Sequence, residues 1–268
     1  MADQPSNGRA IATLLPRLRA VNPLVYCLSN HVTANFVANV LYAVGASPLF
    51  CVDPLEAEEI ASAADAMVVN LGTLDTQRRQ AIDRAIPKAQ RWVLDPVGIA
   101  GLSSRRGLAK SLLQHKPAIV RGNASEIIAL EDDATFQSAK GVDAVHPVDV
   151  AAPIAKHLGA VTGTVIAMTG EIDYVSGKRL DGSTRMVQLS GGDLLMARVT
   201  GMGCAVSALC AAFLSVAEPG SDGRFDAAVS ALQLASAAGG HAAKQQGTKG
   251  PGSFQVNFID AVSRVGLS

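Results

Sequence analysis

The feature that most constrains this chain is a repeated order: a short apolar run, a stretch with helical spacing, then another apolar run. "LVYCLS" (24–29), "SPLFCV" (47–52), "AMVVNLG" (66–72), "RWVLDP" (91–96) and "PAIVRG" (117–122) read as strands. None alternates strictly between apolar and polar residues, the pattern expected of strands buried on both faces of a parallel sheet. Between them the spacing predicts helices over 33–44, 55–63, 76–89, 104–115 and 123–130. A β-α-β-α order of this kind specifies an α/β layer fold with right-handed crossovers.

The pattern changes after about residue 160. "TVIAMTG" (164–170), "DYVSG" (173–177) and "RMVQLS" (185–190) follow one another with only the turn signals "SGKR" and "DGST" between them. They predict an antiparallel edge on an otherwise parallel sheet. The remainder reads as helix over 203–216, 224–245 and 253–265. No long linker, charge block or repeat divides the chain, so residues 1–268 are expected to form one domain.

Composition narrows the classes of function. The 23 basic and 23 acidic side chains balance, and aromatic residues make up only 4% of the chain. Neither an electrostatic footprint for nucleic acid or an anionic membrane nor a base-stacking platform is therefore expected. The four cysteines, Cys27, Cys51, Cys204 and Cys210, form no C-x-x-C pair or zinc spacing and fit a reducing compartment. "MADQPSNGRAIATLL" lacks the charged head and continuous apolar stretch of a signal peptide. No run reaches the ~20 apolar residues of a membrane span. A cytoplasmic location is the expectation.

In open α/β sheets ligands bind beyond the carboxyl ends of the strands. The polar residues there are Ser29 and Asn30, Asp95, Arg121 and Glu126, Thr169, and the turn from Gly201 to Cys204. Two acids, a guanidinium, hydroxyls and a glycine-rich helix start suit a phosphorylated ligand and a divalent metal.

In "VTGMGCAVSALCAAF" (199–213) the glycines permit close backbone approach, and the helix that follows offers unpaired N–H groups to an anion. Cys204, at that helix start, should titrate below the ordinary ~8.5 and serve as a general base. The alternative is a small buried cysteine that only packs, the reading preferred for Cys210. In "RGNASE" (121–126), Asn123 and Glu126 share a face, which would suit a hydrated magnesium ion with Arg121 on a phosphate. The same spacing is also a capping box. Asp95 is a candidate carboxylate or a turn-forming Asp-Pro. Thr169 is a phosphate contact or a strand end. Tyr26 and Phe50 are core or pocket-wall residues. No G-x-x-x-x-G-K-[ST] is present, and Val206 breaks the G-x-G-x-x-G pattern.

"NPLVYCLSNHVTANFVANVLYAVGASPLF", "NLGTLD", "LDPVG", "RGNASEI", "VIAMTGEIDYV", "VTGMGCAVSAL" and "GPGSFQV" together resemble, in order, the hydroxyethylthiazole kinase family from about residue 20 to 260. The resemblance implies a ribokinase-like fold, with a mainly parallel central sheet flanked by helices on both faces. It also implies magnesium-dependent transfer of ATP's γ-phosphoryl to the alcohol of 4-methyl-5-(2-hydroxyethyl)thiazole in thiamine biosynthesis or salvage. It implies homotrimers with sites between subunits. Carried over residue by residue, it places Arg121 and Thr169 on ATP, Phe50 and Gly201 on the thiazole, and Asp95 and Glu126 near the metal and phosphates, while Asn30, from its place after the first strand, is a further candidate for binding the substrate. Cys204 falls beside the attacking hydroxyl, where most of the superfamily carries Asp. Tyr26, Phe50 and Met202 depart from residues common in the family, and "IAGLSS" departs from the usual continuation of "LDPVG". Three other readings stay open: another small-alcohol kinase, a nucleotide-dependent lyase, and a non-catalytic thiazole-binding protein. A thiol hydrolase built on Cys204 has no histidine assigned as its base.

Overall fold

The computed structural model describes residues 7–131 and 148–266. The apolar runs become β1 (Leu24–Leu28), β2 (Ser47–Leu49), β3 (Ala66–Asn70), β4 (Trp92–Asp95), β5 (Ile119–Asn123), β6 (Val165–Thr169), β7 (Asp173–Lys178) and β8 (Thr184–Leu189). They pair into one eight-stranded sheet in the order β2-β1-β3-β4-β5-β6-β7-β8. Every pair from β2 through β6 is parallel, whereas β6–β7 and β7–β8 are antiparallel. The α/β reading and its antiparallel edge are thus what the chain forms.

The helices are α1 (Asn7–Val21), α2 (Ala34–Val44), α3 (Pro54–Ala63), α4 (Thr76–Ala85), α5 (Ser103–Leu113), α6 (Ala124–Glu131), α7 (Val148–Thr162), α8 (Met202–Val216), α9 (Ser221–Lys244) and α10 (Pro251–Arg264). Period-two geometry divides the strands between two cores. Val25, Cys27, Val68, Val93, Ile119 and Val165 face one way, onto α1, α2, α8, α9 and α10. Tyr26, Leu28, Met67, Val69, Leu94 and Ile166 face the other way, onto α3 to α7. Covering both faces explains why these strands read as near-continuous apolar runs.

The sequence reading omitted α1, α7 and a short 3-10 helix at Leu194–Arg198. Pro16 lies inside α1 and Pro153 inside α7, and a proline within an apolar pattern reads as a break. The helix expected over 76–89 ends at Ala85 and tightens into a 3-10 turn at Ile86–Lys88, where Pro87 cannot donate to the α-helical ladder. Among the described residues no helix is long and apolar enough to cross a membrane.

Helix α8 is the element that positions the site. It is built almost wholly of small and apolar residues and is buried along most of its length. It lies against β1, β3, β4 and β5. Its N-terminus therefore comes to the carboxyl ends of those strands.

Candidate active site

The strand ends deliver a buried polar set. Asn30 follows β1, Asn70 ends β3, Asp95 ends β4 directly opposite Asn70, and Arg121 lies in β5. All four are buried, Asp95 completely. A directed hydrogen-bond chain connects the first three. Asn30 Oδ1 accepts from the backbone N–H and the hydroxyl of Thr33, both at 3.0 Å. Asn30 Nδ2 donates to Asn70 Oδ1 at 3.0 Å, and Asn70 Nδ2 donates to Asp95 Oδ2 at 2.6 Å. Both amides also donate to Cys204 Sγ, Asn30 at 3.4 Å and Asn70 at 3.2 Å.

The glycine turn fits against this set for steric reasons. Gly201 caps α8 in the left-handed region, at φ 89°. A Cβ there would lie 2.8 Å from Thr33 Cβ and Cγ2, so this position is closed to a side chain twice over. A Cβ on Gly203 would run into Arg121 Nη1. The guanidinium thus lies on the first turn of α8, and its Nη2 donates to Thr169 Oγ1. Met202 N–H is bonded to Val199 O and Ala205 N–H to Gly201 O. Of the first-turn N–H groups, those of Gly203 and Cys204 remain to meet an anion.

The acids differ in their engagement. Glu126 Oε2 accepts from Asn123 N–H at 2.9 Å while Asn123 Oδ1 accepts from Glu126 N–H at 2.9 Å, the reciprocal capping box. Glu126 Oε1 accepts from Gly98 N–H at 3.0 Å, so this carboxyl also fixes the turn after β4. Burial and then the neighbouring Asp95 raise Glu126 to about 7, against the backbone donors and Arg121. Burial likewise raises Asp95, opposed by Arg121, Ser207 and Asn70. Asp95 Oδ1 accepts no hydrogen bond.

Cys204 corrects one expectation. Loss of hydration and then the charge of Asp95 push its thiol up to about 11, outweighing Thr33, Asn70 and Arg121. The helix start does not hold a thiolate at neutral pH, because burial strips the sulfur of hydration and the neighbouring Asp95 adds to that cost. Cys210 is fully buried in the core, as its packing reading had it. Tyr26 is fully buried and donates to Cys51 O at 3.1 Å, while Phe50 is half-buried against the core that includes α2 and α8.

The comparisons with known proteins bear on this geometry. Residues 15–267 match the sequence profile of the hydroxyethylthiazole kinase family. The chain belongs to that family. The hydroxyethylthiazole kinase of Yersinia enterocolitica is 43% identical over 252 residues, 92% of each chain. The solved structure of a hydroxyethylthiazole kinase from Pyrococcus horikoshii is 34% identical, with a TM-score of 0.83 over 96% of this chain and 94% of that one. A ribokinase-like superfamily protein from Enterococcus faecalis shares the fold at 15% identity and TM-score 0.60, over 90% and 86% of the two chains.

In this member of the family the structure gathers Asn30, Asp95, Arg121, Thr169, Gly201 and Cys204 around the start of α8, with Glu126 near enough to feel the charge of Asp95. Two polar residues were missed from sequence. Asn70 ends an apolar strand as Asp95 does, and the rule that singled out Asp95 also singles out Asn70. Asp173 accepts from Gly170 N–H at 3.0 Å and Ser236 Oγ at 3.5 Å, and burial raises it to about 6. It opens β7 and precedes its apolar run, so a rule about carboxyl ends passes over it.

Proposed function

We propose that this site transfers the γ-phosphoryl group of ATP to the alcohol of 4-methyl-5-(2-hydroxyethyl)thiazole, within thiamine biosynthesis or salvage. The observation that carries the reading is the meeting of Arg121, the α8 start and Cys204 at one point. Arg121 and Thr169 would hold ATP phosphates, and the N–H groups of Gly203 and Cys204 would stabilise charge on the transferred group. The transition state of such transfers is loose, so positioning and electrostatics outweigh proton removal. Cys204, protonated at neutral pH, would donate a hydrogen bond that orients the alcohol oxygen, and the alcohol's proton would pass late in transfer to an oxygen of the transferred phosphoryl group. The two amides on Sγ, with no histidine partnering it among the described residues, also speak against the hydrolase reading.

Magnesium suits these residues in a limited way. Among the described residues no three His, Cys, Asp or Glu side chains group to hold a metal. Magnesium in kinase sites commonly needs only one or two carboxylates beside phosphates and water. Asp95, with Oδ1 unpartnered, is the group that would hold it. Glu126, both oxygens already accepting N–H bonds, would act through water. When bound, the ion would neutralise phosphate charge.

Phe50 and the Gly201 turn would form the thiazole pocket. A neighbouring subunit completing it would make the working enzyme a homotrimer, each chain one kinase domain, in the cytoplasm. Val32, just before α2, and Tyr42, within it, are large and exposed, which supports a subunit contact there.

The test is ADP release with ATP and magnesium, offering hydroxyethylthiazole, hydroxymethylpyrimidine or a sugar. Turnover with the thiazole alone supports the reading. Turnover only with another alcohol keeps the kinase and replaces its substrate, and silence with all three overturns it. Activity regained on mixing two singly inactive variants would support shared sites.

A further inference from the structure

The stretch "NLGTLD" enters the family resemblance without a role for any of its residues. In the structure its first residue, Asn70, touches more of the site than any other side chain described above. Its Nδ2 donates to Asp95 Oδ2 and Cys204 Sγ, and its Oδ1 accepts from Asn30 Nδ2 and from Gly72 N–H at 2.9 Å. Two donors and two lone pairs are all an amide possesses, so Asn70 is saturated. A backbone N–H on one side and a carboxylate on the other admit a single orientation of the amide, which cannot flip without losing both. Asn30 is saturated in the same manner, and neither amide keeps a free group for a ligand.

The surroundings of Asn70 hold it in place. Arg78, fully buried, donates to Asn70 O at 2.6 Å and to the backbone oxygens of Gly72 and Thr73. This guanidinium closes the loop from Asn70 to Thr73, whose last residue lies at φ 44°. The closure fixes the Gly72 N–H that orients the Asn70 side chain. A Cβ on Gly72 would come within 3.0 Å of Asn70 Oδ1 and 3.2 Å of Asn30 Nδ2, so glycine leaves room for the amide pair. A buried arginine, a glycine and a left-handed threonine thus converge on one amide.

We propose that Asn70 is a positioning residue of phosphoryl transfer, tying the Cys204 thiol to the Asp95 carboxylate so that both are oriented as one unit. Ser or Thr at this position supplies one donor, and Asp sets a second carboxylate beside the first. Only an amide serves both partners at once. Because both amides donate to the sulfur, its lone pairs are engaged and its proton is left to face another acceptor, the substrate alcohol among them. Cooperative polarisation along Thr33, Asn30, Asn70 and Asp95 stiffens the arrangement. The inference rests on the kinase reading and on the role given to Cys204.

The test is a double-mutant cycle in the full-length enzyme: parent, Asn70→Ala, Cys204→Ala and the double variant, assayed with ATP, magnesium and the thiazole alcohol. The expected result is that Asn70→Ala lowers kcat roughly 30-fold, with both KM values within about threefold, because the lost interaction acts in the transition state. The double variant should be at least about fivefold faster than the product of the single effects predicts, since the two residues act on one group. A kcat within about threefold of the parent, a loss confined to KM, or fully multiplicative effects would each overturn the proposal. A silent parent overturns the kinase reading itself, whereas an active parent with indifferent Asn70 variants overturns only this inference. If Asn70→Ala does not fold, Asn70→Ser retains one hydrogen-bonding group and is read by the same cycle.

Discussion

Arg121 lies across Gly203 so closely that a Cβ at residue 203 would approach Nη1 to well under 3.0 Å. The second glycine of the turn is therefore there for the guanidinium, and not for backbone freedom. Gly203→Ala should displace Arg121 from the α8 start and raise KM for ATP roughly tenfold, the size of one weakened charge-assisted contact. KM for the alcohol should stay within about twofold in the same steady-state assays. Arg121→Ala should reproduce the effect, and adding Gly203→Ala to it should cost little more. Independent, multiplying effects would show that Gly203 serves the ligand directly.

Cys204 should behave as a protonated thiol. With its titration pushed up to about 11, alkylation by iodoacetamide should be slow at pH 7 and rise steadily through pH 10. Mass spectrometry must follow Cys204 itself, because Cys51 is also partly exposed. Cys204→Ala should lower kcat about 10–100-fold and leave a measurable residue, since the α8 N–H groups and Arg121 remain. A rate equal to the parent's would remove Cys204 from the chemistry, and rapid alkylation at pH 7 would show that the thiol is ionised.

The layer order was legible because burial on both sheet faces leaves continuous apolar runs, as in "AMVVN" and "WVLD", and their carboxyl ends point to the ligand side. Asn30, Asp95 and Arg121 could be picked out on that ground alone. The protonation state of Cys204 could not. It depends first on burial and then on Asp95, 109 positions away in the sequence and brought near only by the packing of α8 against the sheet. The link between Asn70 and Cys204 was hidden for the same reason. Glu126 shows the converse, because its spacing to Asn123 is both a helix cap and a site signature. The structure makes it a cap while also bringing it within reach of the charge of Asp95.

Glu126 should leave a pH signature on stability in the ligand-free protein. Its titration is raised to about 7 in the folded chain from an ordinary value near 4.5, so between these pH values the folded state holds a proton the unfolded chain has released. Its contribution is complete below about pH 4.5, declines as pH rises through 7 and is level above. Comparing the parent with Glu126→Gln in urea at pH 5, 6, 7 and 8, the parent should lose on the order of 2 kcal/mol relative to the variant. The variant carries a constant penalty for the N–H bond it cannot accept. A difference independent of pH would mean that Glu126 is already ionised at pH 5.

Arg91 tests whether stability can be separated from the site along the same helix. Its Nη1 donates to Leu214 O at 3.0 Å, to Ser215 O and to Ala217 O at 3.4 Å, closing the C-terminal end of α8 from the residue before β4. A cation there meets orphan carbonyls and the negative end of the helix dipole. Arg91→Ala should cost about 2 kcal/mol, given charged hydrogen bonds worth ~1.5–3 kcal/mol. For a chain of this length that is a fall in Tm of roughly 4–8 °C. The turn at Gly201 lies at the opposite end of α8, anchored by Thr33 and Arg121, so kcat at 25 °C should stay within about twofold of the parent's. A large fall in kcat with Tm unchanged would show that tension at the far end of α8 reaches the site. An unchanged Tm with unchanged kcat would show that water replaces the arginine at no cost.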